Sequence, residues 1–325
     1  MNKILTRLAV ASLLVTSSLL SSTSIMAQTL KTVRVSQIVE HPALDLARKG
    51  VVDALAQHGF IQGQNLDFKF ATAQGNPAIA VQIAKQYVGE KPDVLVGIAT
   101  NSAQALASST HTIPIIYAAV TDPVSAKLLK NPQKPEGNVT GLSDSSPIDQ
   151  HVAMMQELVP NLKTIGVVYN PGETNSLSII ELLRKATKAQ GIKLVEATAL
   201  KTSDIQSATQ AIVGDVDIMY AAIDNTVASA IDSMLRVTNM SKTPVFAATD
   251  NYVTSGAVAS LALSYYQLGI QTGNYVAAVL NGEKIENLPA KTALSDQIIV
   301  NEKAAKKIGF SVPKSIVDRA TKIIK

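Results

Sequence analysis

"DVLVGIATNSAQALASSTHTIPIIYAAV", residues 93–120, carries the pattern that decides the fold. An apolar run ends at Ala99, an alanine-rich stretch of helical period opens on Thr100-Asn101-Ser102, and a second apolar run follows from Ile113. This reads as strand, helix and strand, the repeating unit of a doubly wound α/β sheet. Upstream, "VRVSQI" (33–38) and "NLDFKFATA" (65–73) read as strands. "ALDLARKGVVDALAQHG" (43–59), closed by Gly59, and "NPAIAVQIAKQYV" (76–88) read as helices. One α/β unit therefore ends near residue 120.

Downstream, "NPQKPEGNVTGLSDSSPIDQ" (131–150) is rich in Pro, Gly, Asn and Ser and reads as a crossing between domains. A helix at 148–159 restarts the rhythm. "TIGVVYN", "IKLVEATA", "VDIMYAAI" and "TPVFAAT" then alternate with helical stretches as far as residue 249. "GAVASLALS" (256–264) adds a strand, "YYQLGIQTGNYVAAVLNG" (265–282) a long helix closed by Gly282, and "LPAKTALSDQIIVN" (288–301) an extended segment. The basic tail from Glu302 is expected to form surface helices with solvated lysines. The architecture is duplicated, although the residues are not.

The first 27 residues combine a basic start, a Leu/Val/Ala core and a small-residue exit, which is the form of a secretory signal peptide cleaved after Ala27. Its apolar run, Leu8 to Leu20, is short for a membrane span. The chain has no cysteine, which removes disulfides, thiolate metal ligands, a thiol nucleophile and the lipid-bearing cysteine of a bacterial lipoprotein. An exported, unlipidated protein of the periplasm is the expectation. Lys3 and Arg7 supply two of the formal +4 charges, and a remainder of about +2 is too weak a bias for a nucleic-acid partner. A mature chain of about 300 residues, 46% hydrophobic overall, is long enough for two domains.

Ligands of open parallel sheets bind beyond the carboxyl ends of the strands, where helix N-termini point N–H groups outward. At those ends the chain places His41, Thr100-Asn101-Ser102 and Thr121-Asp122 in its first half. In the second half it places Asn170, Asn175-Ser176, Asp224-Asn225 and Asp250. Helix capping accounts for any one such junction, because Ser, Thr, Asn and Asp are the favoured N-caps. Six polar junctions in two halves suit a zwitterion better, with N–H donors and hydroxyls for an α-carboxylate and Asp224 and Asp250 for an α-ammonium. A thermal or binding difference between the two accounts is therefore open at each residue. Tyr117, Tyr169, Tyr220 and Tyr252 are either core residues or walls for an apolar ligand group.

The chain has no G-x-G-x-x-G, no G-x-x-x-x-G-K-[ST], no G-x-S-x-G and no H-E-x-x-H. His41, His58, His111 and His151 are far apart in sequence. No catalytic residue, metal site or cofactor is expected. A racemase or amide hydrolase using Asp224 and Asp250 would need an activated nucleophile or paired base that the sequence does not offer.

The blocks "VEHPALDLARKGVVDAL", "IPIIYAAVTDPVSAKLL", "PEGNVTGLSDSSPI", "VVYNPGETNS" and "DNTVASAI" resemble the tryptophan/tyrosine-type substrate-binding proteins of ATP-binding-cassette importers, over essentially the whole mature chain. The resemblance implies a type I periplasmic binding protein: two doubly wound, Rossmann-like α/β lobes joined by a three-strand hinge and closing over an amino acid, with aromatic amino acids favoured. The expected lobes are 28–145 plus 265–289 and 146–264 plus 290–325, with crossings near 141–147, 263–265 and 287–291. The implied partners are a membrane permease and its ATPase, and the protein is expected to act as a monomer. The two Thr-Asn-Ser turns are expected to face each other across the cleft. A sugar or autoinducer binder, or a sensor, on the same fold is the alternative.

Overall fold

The computed structural model describes residues 30–325; the signal-peptide expectation for residues 1–27 falls outside the described residues. The first part of the chain runs β1 (Lys31–Gln37), α1 (Pro42–Gln57), β2 (Leu66–Thr72), α2 (Pro77–Gly89), β3 (Val94–Ile98), α3 (Thr100–Ser109), β4 (Ile115–Ala118) and β5 (Val139–Ser143). The second part runs α4 (Ile148–Leu158), β6 (Thr164–Tyr169), α5 (Thr174–Ala189), β7 (Lys193–Thr198), α6 (Ile205–Ile212), β8 (Ile218–Ala221), α7 (Asn225–Ser229), α8 (Ile231–Ser241), β9 (Val245–Thr249), α9 (Asp250–Ser255) and β10 (Ala259–Leu263). The chain then returns with α10 (Tyr265–Leu280) and β11 (Lys291–Thr292). It crosses once more to β12 (Ser295–Asn301), α11 (Glu302–Lys307), α12 (Lys314–Val317) and β13 (Lys322–Ile324).

Among the described residues these strands form two sheets, ordered β11-β5-β4-β3-β1-β2 and β13-β12-β10-β9-β8-β6-β7. Every pair in the first is parallel; in the second only β10–β12 is antiparallel. Parallel sheets covered on both faces need strands that are apolar throughout rather than alternating. "VLVGI" of β3 and "VFAAT" of β9 are buried at every position. Helices α1 and α10 cover one face of the first sheet, and α2 and α3 the other. In the second, α4, α5, α11 and α12 pack into one core cluster and α6 to α9 into another. Helix starts follow local chemistry: Asn76 accepts the Ala78 N–H ahead of Pro77 at the head of α2, and Ser264 accepts the Gln267 N–H at the head of α10.

Three differences from the sequence reading have physical causes. The stretch 131–150, read as a connector, contains β5, and the passage to the second sheet occupies only 144–147. Gly141 hides this strand from propensity reasoning. It is needed because a Cβ there would lie 2.1 Å from the Tyr117 carbonyl oxygen of β4. The third crossing follows β11 instead of preceding it, since Lys291 and Thr292 pair with Leu142 and Ser143 of the first sheet. The tail ends in a strand, β13, parallel to β12, because Ile323 and Ile324 continue the edge of the second sheet.

The first lobe is completed by α10, which arrives only after the second sheet has been laid down. It lies against α1 at backbone distance. A Cβ on Gly269 would sit 2.0 Å from the Ala47 carbonyl oxygen, and one on Gly273 would sit 2.7 Å from that of Val51. Gly50 of α1 meets the α10 backbone in the same way, 2.4 Å from the Tyr266 carbonyl oxygen. Small residues on both helices allow this approach, and Leu268, Val276, Ala277 and Leu280 of α10 then enter the first core. Gly269→Ala is expected to destabilise the protein by about 1–3 kcal/mol through overpacking. Chemical denaturation of the two proteins measures the difference, and an unchanged midpoint would contradict the packing described.

Candidate functional site

The carboxyl ends of strands from both sheets meet around a tightly closed cavity of about 10 Å3, roughly the room for one water molecule, so the lobes must part to admit a ligand. From the first lobe come His41, Ala43 and Leu44 at the head of α1, Ala99 after β3, Ala119 and Thr121 after β4, and Tyr265 at the head of α10. Asp144 lines it from the first crossing. The second lobe contributes Asn175, Ile223, Asp224, Asn225, Ala228, Thr249 and Tyr252. The lobes touch here: His41 Nε2 lies 3.4 Å from Asn225 Oδ1, and α3 approaches α5. Burial lowers the His41 pKa, so the ring is neutral near pH 7.

Three long helices begin at this cavity without a side-chain cap. The residues at their N-caps are His41 for α1, Ala99 for α3 and Glu173 for α5. Their first-turn N–H groups carry the partial positive charge of a helix N-terminus. Ala99 adopts φ 70° and ψ 160°, and Ala119 adopts φ 54°. The first of these is a region that side chains other than glycine rarely enter. Both strained alanines line the cavity. His41 Nδ1, Asn175 Oδ1 and Thr249 Oγ1, also on its wall, are buried without a hydrogen-bond partner among the described residues, and Thr100 Oγ1 beside them is the same. Unsatisfied buried polar atoms are uncommon and call for an explanation.

The second feature is acidity. Asp224 is the N-cap of α7. It accepts the Val227 N–H at 2.8 Å, the Asn170 N–H at 2.7 Å and the Ser176 hydroxyl at 2.7 Å. Glu173 accepts the backbone N–H groups of Asn225 and Thr226 and their side chains. Burial, with the Glu173 charge adding to it, pushes the Asp224 carboxyl up to about 7. Asp144 is fully buried and accepts hydroxyl bonds from Thr121 at 2.9 Å and Tyr265 at 2.8 Å. Burial raises its pKa as well. No lysine or arginine lines the cavity.

Of the residues singled out in the sequence, the structure gathers His41, Thr121, Asn175, Asp224 and Asn225 on the cavity wall. Asn101 and Asn170 lie further out, on the wider mouth between the lobes. Thr100 is buried in the first turn of α3. Ser102 and Ser176 face inward: Ser36 donates to the Ser102 oxygen at 3.4 Å, and Ser176 donates to Asp224. Asp122 is away from the cavity and caps its own turn by accepting the Val124 and Ser125 N–H groups. Asp250, an expected ammonium partner, does not line the cavity; its carboxylate accepts the Asn251 N–H at the start of α9. Tyr252 is a cavity wall, whereas Tyr117 is packed within the first core and Tyr169 and Tyr220 within the second. Sequence reasoning missed Asp144, Tyr265 and Thr249. Asp144 follows β5, the strand that was not recognised, so its strand-end position was invisible.

Comparison with known proteins places the chain in a family. Residues 32–324 match the family model described as ABC transporter substrate binding protein. A tyrosine-binding protein of Clostridioides difficile is 37% identical over 276 residues, 85% of this chain and 80% of that protein. A conserved domain protein of Vibrio cholerae superimposes with a TM-score of 0.90 at 56% identity, over 91% of this chain and 100% of the other. A Streptococcus pneumoniae protein solved in complex with L-Trp does so with a TM-score of 0.87 at 34% identity, over the same shares. With two α/β lobes of the type I periplasmic binding fold around a buried cleft, the chain belongs to the substrate-binding proteins of ABC transporters.

Proposed function

We propose that the protein is the extracytoplasmic binding component of an importer, holding a free aromatic amino acid between its lobes and delivering it to a membrane permease and ATPase. The observation that carries this reading is the pairing, within one small cavity, of uncapped helix N-termini with buried carboxylates that have no basic side chain opposite them. The N–H groups at the heads of α1 and α3 suit an α-carboxylate, as does the neutral His41. Asp224 and Asp144 suit an α-ammonium. Tyr252, Tyr265, Leu44 and Ile223 offer an aromatic and aliphatic wall for the side chain. The relatives known to hold tyrosine and L-Trp support the same class. In this reading residues 1–27 are a cleaved export signal, and the unlipidated protein works as a periplasmic monomer. His41, Thr121, Asn175, Asp224 and Asn225 touch the ligand, and the outer Asn101 and Asn170 guide it in.

A ligand that binds only the folded protein raises its stability by about 2.7 kcal/mol at a hundredfold excess over Kd. A thermal-shift screen of refolded, ligand-stripped protein against the amino acids and a sugar panel is expected to give a shift confined to Trp, Tyr and Phe. A shift with a sugar alone would replace the substrate class.

Affinity is also expected to depend on pH. In the ligand-free protein burial and Glu173 hold Asp224 at about 7, so the carboxyl is protonated below that value. A bound ammonium favours the ionised form and lowers this pKa, so binding releases a proton. Calorimetric affinity for L-Tyr is expected to tighten as pH rises from 5.5 to 7 and to level off above it. A flat profile would mean that no ligand cation faces the acids.

A further inference from the structure

The reading above leaves two buried carboxylates competing for one ligand cation, and their hydrogen bonds separate them. Asp224 is committed to its own lobe: two backbone N–H groups and the Ser176 hydroxyl converge on it, and it starts α7. An ion satisfied in this way serves as a cap. Asp144 is held by two neutral hydroxyls and, apart from its own N–H, by no backbone donor. A fully buried carboxylate without a cation and with no backbone donor beyond its own residue is costly to keep ionised. It lies on the same wall as His41, Asn175 and Thr249, whose buried polar atoms also lack partners.

The position of Asp144 in the chain adds a second role. It is the first residue of the crossing that links β5 to α4. The hydroxyl of Tyr265 reaches it from the first residue of α10, immediately after the crossing that links β10 to α10. Thr121 reaches it from the turn after β4. The carboxylate thus joins two of the three passages between lobes and one rigid strand end, and all three side chains face the cavity.

Building on the amino-acid reading, we propose that Asp144 is the carboxylate that receives the ligand's ammonium group and that, through Tyr265, it ties occupation of the cavity to the hinge. The ammonium supplies the counter-charge that the protein does not. Once paired, the carboxylate stays ionised and becomes a stronger acceptor for both hydroxyls, which draws the two crossings together. Ligand binding and closure are then one event at one side chain, with Asp224 a second, locally capped carboxylate on the same wall.

The test pairs a change in the protein with a change in the ligand. Affinities of wild type, Asp144→Asn and Tyr265→Phe are measured by calorimetry for L-Tyr and for 3-(4-hydroxyphenyl)propanoate, which lacks the amino group. Circular dichroism and melting confirm that each variant is folded. Wild type is expected to favour L-Tyr on the order of 100-fold or more, the scale of a buried charge pair losing one partner. Asp144→Asn is expected to bring that ratio within about threefold of unity by weakening L-Tyr alone. Tyr265→Phe is expected to retain discrimination but to lose ligand-induced compaction in small-angle scattering. Retained discrimination in folded Asp144→Asn overturns the ammonium assignment, and unaltered compaction in Tyr265→Phe overturns the hinge role. Wild type that binds no aromatic amino acid overturns the amino-acid reading itself and this assignment with it. If Asp144→Asn does not fold, Asp144→Ser serves in its place, with the same expected loss, and retained discrimination has the same overturning force.

Discussion

The contact on which the rest of the molecule depends is the backbone-to-backbone packing of α1 against α10. The chain leaves the first lobe after β5, builds most of the second, and returns, so the first lobe is two separate pieces of sequence. Gly50, Gly269 and Gly273 let those pieces approach to a distance that side chains would forbid. Without this approach β4 and β5 would be bare on one face, because α10 packs on both. Tyr265 would also lose the helix that aims it at Asp144. The cleft exists because the chain must cross three times, and it crosses three times because the first lobe is closed by a late helix.

With the lobes so joined, both sheets present their carboxyl ends to one space, and the chemistry there divides by sign. Helix N-termini left uncapped at His41, Ala99 and Glu173 make one part of the wall positive. The Asp144 and Asp224 carboxylates make another part negative, and neither has a lysine or arginine facing it across the cavity. Ordinary capping would have removed the first feature. Glu173 shows the trade directly: it stands at the N-cap of α5 yet turns its carboxylate to Asn225 and Thr226 of α7. The strain at Ala99 and Ala119 belongs to the same arrangement, since the turns that carry it bring the backbone up to the cavity.

The alternation of buried strands and helices was legible because parallel strands between helix layers are apolar at every position, as in "VLVGI" and "VFAAT". The junction rule likewise found His41, Thr121, Asn175, Asp224 and Asn225, which follow recognisable strands. It failed where the strand was disguised. Gly141 belongs to β5 for reasons of space against Tyr117, and a one-dimensional reading takes it for a turn. Tyr265 was unreadable for a different reason, because its partner is 121 residues away and only the return of α10 brings them together. Asp250 and Asp122 met the rule equally well and serve as local caps, because position at a strand end does not say which way a carboxylate turns.

The discontinuous first lobe also imposes an order on folding. Strands β6 to β10 and the helices between them form one unbroken stretch of chain, and they hold the centre of the second sheet. The first sheet, although all its strands but β11 are made earlier, keeps part of one face uncovered until Leu268, Val276 and Leu280 arrive. A polypeptide emerging from its N-terminus therefore leaves part of the first sheet an open apolar layer until α10 is made, and closes the second sheet only when β12 and β13 follow. The cleft, which draws residues from both lobes, is complete only once Tyr265 has been made, 224 residues after His41.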